Sequence, residues 1–172
     1  MAMNELLDAE ITHTIVCGDN FMGSREKEAV EIILGFLEDK EFDMFIAGPA
    51  FQAGRYGFAC GTICKAVKEK FNVPVITSMH EENPGVEMFR KDMPIFIGGK
   101  SAAKLKSDVK IMAAYANKLL SGAELLPASE EGYFERGIRH QVWREDGVTA
   151  ARRGVDMLIR KLNNEEYKTE LI

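Results

Sequence analysis

Apolar residues in this chain alternate between two patterns, short runs rich in β-branched and aromatic side chains and longer segments with apolar positions every three or four residues. The short runs at 11–17, 42–47, 73–77 and 94–97 predict four strands, with Pro74 early enough in the third to be tolerated. The longer segments predict helices over 24–37, 59–71, 102–120 and 148–162. In the first of these, Ser24 is positioned as an N-cap, and Ala29, Val30, Ile33, Leu34 and Leu37 share a face. The third closes on Ser121-Gly122 in the manner of a C-cap, and the last places Ala151, Val155, Leu158, Ile159 and Leu162 near one face. Strands without clean polar alternation, separated by helices, imply a parallel sheet covered on both sides. The expected fold is therefore α/β, a three-layer open and mainly parallel four-stranded sheet with helices on both faces, flavodoxin- or Rossmann-like, in a single domain over 1–172. Residues 127–146 break the rhythm and predict an irregular surface arm. Its Tyr133, Phe134, Ile138 and Trp143 suggest that another surface docks there.

A length of 172 residues with 46% hydrophobic side chains suffices for one core. The net charge of -5 and the absence of any long basic block argue against nucleic acid as a partner. The first residues lack the basic and apolar regions of a signal peptide. No stretch approaches the roughly 20 apolar residues that span a bilayer, so no membrane partner is expected and the expected compartment is the cytoplasm. Cys17, Cys60 and Cys64 are an odd count and read as reduced thiols. His13, His80 and His140 lie far apart and there is no C-x-x-C pair, so no metal is expected.

Ligands of open parallel sheets bind beyond the carboxyl ends of the strands. Of the four turns there, 18–23, 48–57, 78–86 and 98–101, the second carries the most chemistry. In Gly48-Pro49-Ala50-Phe51-Gln52-Ala53-Gly54-Arg55-Tyr56-Gly57 the glycines let backbone N–H groups approach a ligand, and Arg55 offers a fork to a carboxylate. The next helix points its positive end at the same place, so a small anion fits. The same spacing also serves a tight turn with Arg55 paired to a surface acid, and the turn is neither a P-loop nor a dinucleotide fingerprint. In the third turn, Glu82 can pair with a cationic amine, Asn83 can hydrogen-bond it, and His80 can act as a general base. A solvated Asn-Pro turn accounts for the same residues. Cys60, near a helix start, is a candidate thiolate, but its Ala- and Gly-rich surroundings and the i, i+4 spacing to Cys64 favour packing. Arg136 and Arg139 serve either a ligand or surface ion pairs.

Seven segments in order carry a resemblance: Cys17-Gly18-Asp19-Asn20, Phe45-Ile46-Ala47-Gly48-Pro49-Ala50-Phe51, Ala53-Gly54-Arg55-Tyr56-Gly57, Ala59-Cys60-Gly61, Glu82-Asn83-Pro84-Gly85-Val86, Arg136-Gly137-Ile138-Arg139 and Val155-Asp156-Met157-Leu158. Together they are similar to the earlier half of the selenocysteine-containing subunit of component B of glycine, sarcosine and betaine reductases from amino-acid-fermenting anaerobes. The resemblance implies a small zwitterionic substrate cleaved reductively at its C–N bond, leaving an acetyl unit on a selenol of a partner protein. It also implies a selenocysteine in a missing C-terminal half, with no cofactor in this chain. No Cys follows Cys64 to stand in for that residue, and Gln52 and Glu135 depart from the family's Asn and Pro. The expected substrate-binding residues are Arg55, Gly54, Tyr56, Gly57, Phe51, Glu82 and Asn83, with no catalytic residue assigned. Betaine has no N–H to donate, so Phe51, Tyr56 and Glu82 are the candidates to face its ammonium. The expected partners are the missing half, other reductase components or another copy of the chain, which is either an excised piece or a naturally split subunit. Two alternatives stay open: a stand-alone module that binds a small anion or amino acid without catalysis, and a structural subunit.

Overall fold

The computed structural model describes residues 3–137 and 147–167, which fall into two compact units, Met1–Arg136 and Gly137–Ile172. The first holds a parallel sheet of three strands, β1 (Phe45–Ala47), β2 (Val75–Met79) and β3 (Ile95–Ile97), in the order β1-β2-β3. Phe45 lies opposite Val75, and Thr77 opposite Ile95, so the chain steps across the sheet in one direction. Crossovers of this kind need a covering helix. They are supplied by α3 (Gly54–Phe71) between β1 and β2, and by the short α4 (Gly85–Phe89) between β2 and β3. Before the sheet run α1 (Asp19–Ser24) and α2 (Glu26–Leu37); after it, a 3-10 turn (Ala102–Lys104) leads into α5 (Leu105–Leu120).

Period-two alternation along the strands divides the core in two. Phe45, Ala47, Val75, Met79 and Ile95 join Ala29, Ile33, Cys60, Cys64 and Val67 of α2 and α3 on one side. Ile46, Ile76 and Phe96 meet Met112, Tyr115 and Ala116 of α5 on the other. Helices thus cover both faces, as expected. Every residue of β2 is buried, which explains why its sequence does not alternate. On α3 the buried residues are Gly57, Cys60, Gly61, Ile63, Cys64 and Val67, mostly small side chains that let the helix lie close to the sheet. At the end of α5, Ala123 N bonds Lys118 O and Gly122 N bonds Leu119 O while Gly122 takes φ 69°, so the anticipated C-cap is a Schellman motif.

The expected four-stranded sheet is corrected to three strands among the described residues. The run at 11–17 is irregular. Ile15 and Cys17 turn toward the core while Val16 is 91% exposed, so it keeps the alternation of a strand without ladder bonds. Ser24 is not an N-cap either: it ends α1, and its hydroxyl donates to Asn20 O at 2.8 Å. The helix predicted from 59 begins at Gly54, which moves Arg55, Tyr56 and Gly57 from a loop into the first turns of α3.

The anticipated arm is partly ordered onto the sheet. After α6 (Ala128–Glu131), Tyr133 pairs antiparallel with Phe96, and Phe134 N bonds Ile95 O at 2.9 Å. Tyr133 stacks edge-on against Phe96 and Tyr115, with centroids 5.8 Å from each, and Phe134 packs on the α3 side of the core. These two aromatics therefore serve their own fold rather than a docking surface. Glu131, nearly buried, takes Lys118 Nζ at 2.9 and 3.1 Å and Leu126 N at 2.9 Å. Burial pushes its carboxyl upward, but these donors outweigh it and leave the group below its ordinary value. Ile138, Arg139, His140 and Trp143 lie outside the described residues.

The second unit contains α7 (Ala150–Leu162), capped by Thr149, whose hydroxyl accepts from Arg152 N at 3.3 Å. The anticipated apolar positions Val155, Leu158, Ile159 and Leu162 are on its surface. No described helix is long and apolar enough to cross a membrane.

Candidate functional site

The carboxyl ends of β1 and β2 open into two turns that are bound to each other. Ala50 N donates to Ser78 O at 2.8 Å, His80 N to Phe51 O at 3.0 Å, and Gln52 N to Lys100 O at 3.4 Å. The turn after β1 therefore crosses the end of β2 and reaches the loop after β3. Phe51 takes φ 53° within it, a left-handed conformation that a bulky residue adopts only when its surroundings hold it there.

Asn83 is the fastener. It is 1% exposed, and its Nδ2 donates to Phe51 O at 2.9 Å and Ala53 O at 3.1 Å while its Oδ1 accepts from Gly85 N at 3.0 Å. Both donors of the amide are thereby spent on backbone. Gly57 makes room for it, since a Cβ there would lie 2.2 Å from Asn83 Oδ1, and a Cβ on Gly54 would lie 3.3 Å from the Pro84 ring. Of the expected ligand-binding residues, Asn83 and Gly57 are buried and pack against each other.

Next to these residues α3 begins at Gly54, with no side-chain cap on its first N–H groups. Arg55 projects from its first turn, 72% exposed, with Nη1 donating to Asn20 Oδ1 at 2.6 Å and Nε 3.7 Å from Asp19 Oδ2. Tyr56 lies partly exposed beside it. Burial raises its phenol above the ordinary value, and the neighbouring Cys60 adds to the rise. Glu82 stands across the turn, where its Oε2 accepts from Gln52 Nε2 and lies 3.5 Å from Lys100 Nζ and 3.8 Å from His80 Nδ1. His80 Nδ1 also accepts from Glu82 N at 3.2 Å. Nδ1 of His80 is thereby engaged by a backbone N–H.

Asp19, Asn20, Gln52 and Lys100 are the residues that sequence reasoning missed. The Cys17-Gly18-Asp19-Asn20 segment was legible as a turn, but nothing local showed that it grips Arg55. Arg136 is tied down, with Nη2 donating to Lys91 O at 2.6 Å, and Arg139 lies outside the described residues. A shallow cleft of about 280 Å³ lies elsewhere, lined by His13, Thr14, Ile15, Val16, Phe36 and Leu37, and none of the expected ligand residues borders it.

All three cysteines are free. Burial pushes the Cys60 thiol up to about 12, against a weaker opposing pull from the hydroxyls of Thr77 and Tyr56, and burial also raises Cys64. Both are therefore protonated packing residues at neutral pH, as their surroundings suggested. Iodoacetamide at pH 7.5 should label native Cys60 and Cys64 at least about a hundredfold more slowly than free cysteine, as read by peptide mass spectrometry. Rapid labelling of Cys60 would mean that it is a reactive thiolate instead.

The model of one family, the glycine/sarcosine/betaine reductase selenoprotein B, matches residues 1–172. The chain belongs to this family. Among the relatives of this chain, the betaine reductase complex component B subunit beta of Peptoclostridium acidaminophilum is 63% identical over 172 residues, 99% of the chain and 39% of that subunit. The glycine reductase complex component B subunit gamma and the sarcosine reductase complex component B subunit beta of the same organism are 44% and 43% identical, each over 95% of the chain and 37% of the subunit. The chain thus spans about two fifths of the length of the curated relatives it matches. No solved structure matches it.

Proposed function

We propose that this chain forms the substrate-side part of component B of a betaine-type reductase, working in the cytoplasm on a small zwitterionic amino acid. Reductive C–N cleavage is completed by a selenocysteine in a segment outside these residues. The observation that carries this reading is the meeting of three separate family segments at one place. Asp19 and Asn20 hold Arg55, and the Glu82-Asn83 turn holds the loop from which Arg55 rises. The 63% identity to a betaine reductase subunit, against 44% and 43% to glycine and sarcosine counterparts, supports betaine among the three.

In this reading Arg55 and the uncapped N–H groups of α3 receive the substrate carboxylate. The faces of Phe51 and Tyr56 suit a quaternary ammonium, which offers no hydrogen bond and is attracted by ring quadrupoles. Asn83, Gly54 and Gly57 keep these groups in register from below. The chain's partners are then the remaining part of the subunit, the other reductase components and, in an assembled complex, a second copy. Because Cys60 and Cys64 are buried and held protonated, neither supplies a nucleophile, and the isolated chain is a binder rather than a catalyst.

Calorimetric titration of betaine into component B carrying this chain tests the reading. Charge-assisted hydrogen bonds are worth about 1.5–3 kcal/mol each. Arg55→Lys, which keeps the charge but loses the planar fork, should therefore weaken binding by about tenfold or more. Equal affinities for wild type and variant would reduce Arg55 to a surface ion-pair residue and remove the site.

A further inference from the structure

We infer that Asp19, rather than Glu82, is the carboxylate that faces the ammonium of the bound zwitterion, an assignment that rests on the Arg55 site proposed above. The two carboxylates differ in what each already holds. Glu82 shares its Oε2 between Gln52 Nε2 and Lys100 Nζ at 3.5 Å. A new cation there would compete with a lysine and with a direct hydrogen bond, and would enter beside an existing positive charge. Asp19 has Arg55 as its one ion-pair partner among the described residues, and that contact is loose, 3.7 Å from Oδ2 to Nε.

The pair also has the right shape. A zwitterion such as betaine carries its carboxylate and its ammonium on either side of a single carbon, so the complementary protein surface is one cation next to one anion. Arg55 and Asp19 are such a pair, side by side and both open to solvent at 72% and 36% exposure. Ion pairs this exposed contribute little by themselves, so opening one costs little, and a zwitterion inserted between the partners replaces one weak contact with two. Asn20 makes the exchange feasible: its Oδ1 holds Arg55 Nη1 at 2.6 Å, so the guanidinium stays aimed when Asp19 turns to the ligand. Asp19 and Asn20 open α1 directly after Gly18, so one short turn sets both the grip on Arg55 and the anion beside it.

The experiment compares betaine with 3,3-dimethylbutanoate, which has the same shape and carboxylate but a tert-butyl group in place of the trimethylammonium. Both are titrated calorimetrically into component B carrying this chain. Wild type should prefer betaine by about tenfold or more. Asp19→Asn keeps an acceptor beside Arg55 and removes only the charge. It should bring the preference close to one, through lost betaine affinity and with dimethylbutanoate binding changed by no more than about twofold. Glu82→Gln should leave the preference intact. Retention of the preference in Asp19→Asn, or its loss in Glu82→Gln, overturns the assignment of Asp19 while leaving the Arg55 site standing. If Arg55→Lys binds both ligands as tightly as wild type, the site itself is wrong and the assignment falls with it.

Discussion

Replacing Asn83 with alanine is expected to lower the unfolding free energy by about 3 kcal/mol, at about 1 kcal/mol for each of its three hydrogen bonds to backbone. The carbonyls it leaves are not abandoned, because Phe51 O still receives His80 N and Ala53 O still receives Gly57 N. Gly85 N does lose its acceptor in a buried place, and that loss sets the lower limit of the cost. In a chain of this length about 3 kcal/mol corresponds to a fall in Tm of roughly 6–12 °C, which differential scanning calorimetry reads directly. Asn83→Asp should be at least as damaging, because it turns a carboxylate oxygen toward two carbonyls that had been receiving N–H groups. A drop of under 2 °C for Asn83→Ala would show that the two turns hold together without it.

A comparable loss is expected at the interface of α3 and α4. A Cβ on Gly61 would lie 2.0 Å from Cδ2 of Phe89, inside any tolerable contact, and the Phe89 ring is buried against Phe58 with centroids 6.3 Å apart. Gly61→Val must therefore push two helices apart or expel an aromatic ring, at a cost of at least about 3 kcal/mol. Truncating the ring in the double variant with Phe89→Ala should restore part of it, so the two changes together cost less than the sum of the singles. Additive losses would mean that the collision is relieved by a movement elsewhere.

Much of this architecture was legible in the chain. The runs that became β1, β2 and β3 were recognisable by their apolar density, and the amphipathic spacing located α2, α5 and α7. The run at 11–17 had the same chemistry as the other three, but a strand also needs a neighbour with open hydrogen-bonding groups, and that condition lies outside the run itself. Gly54 and Gly57 read locally as a flexible turn because glycine is a poor helix former. Their reason for being in α3 is the close approach of Pro84 and Asn83, contacts about thirty positions away. The site divided along the same line. Arg55 stood out as the proposed anchor from its own turn, whereas its tie to Asn20 spans 35 positions and became visible only once α1 and α3 were packed together.

The fully buried central strand poses a problem of alignment. Since all five residues of β2 are buried, sliding the strand by one position would exchange its two faces without exposing anything, so polarity alone cannot fix its register. Size can. On one face Thr77 passes under Gly48, where a Cβ would sit 3.3 Å from its hydroxyl, and on the other Ser78 passes beside Gly98, where a Cβ would sit 2.4 Å from Oγ. A one-place slip would bring Met79 or Ile76 into gaps cut for a threonine and a serine, and neither fits. The two small polar side chains act as keys in glycine-lined wards, and they hold the strand at the one setting that delivers His80 and Glu82 to the carboxyl edge of the sheet.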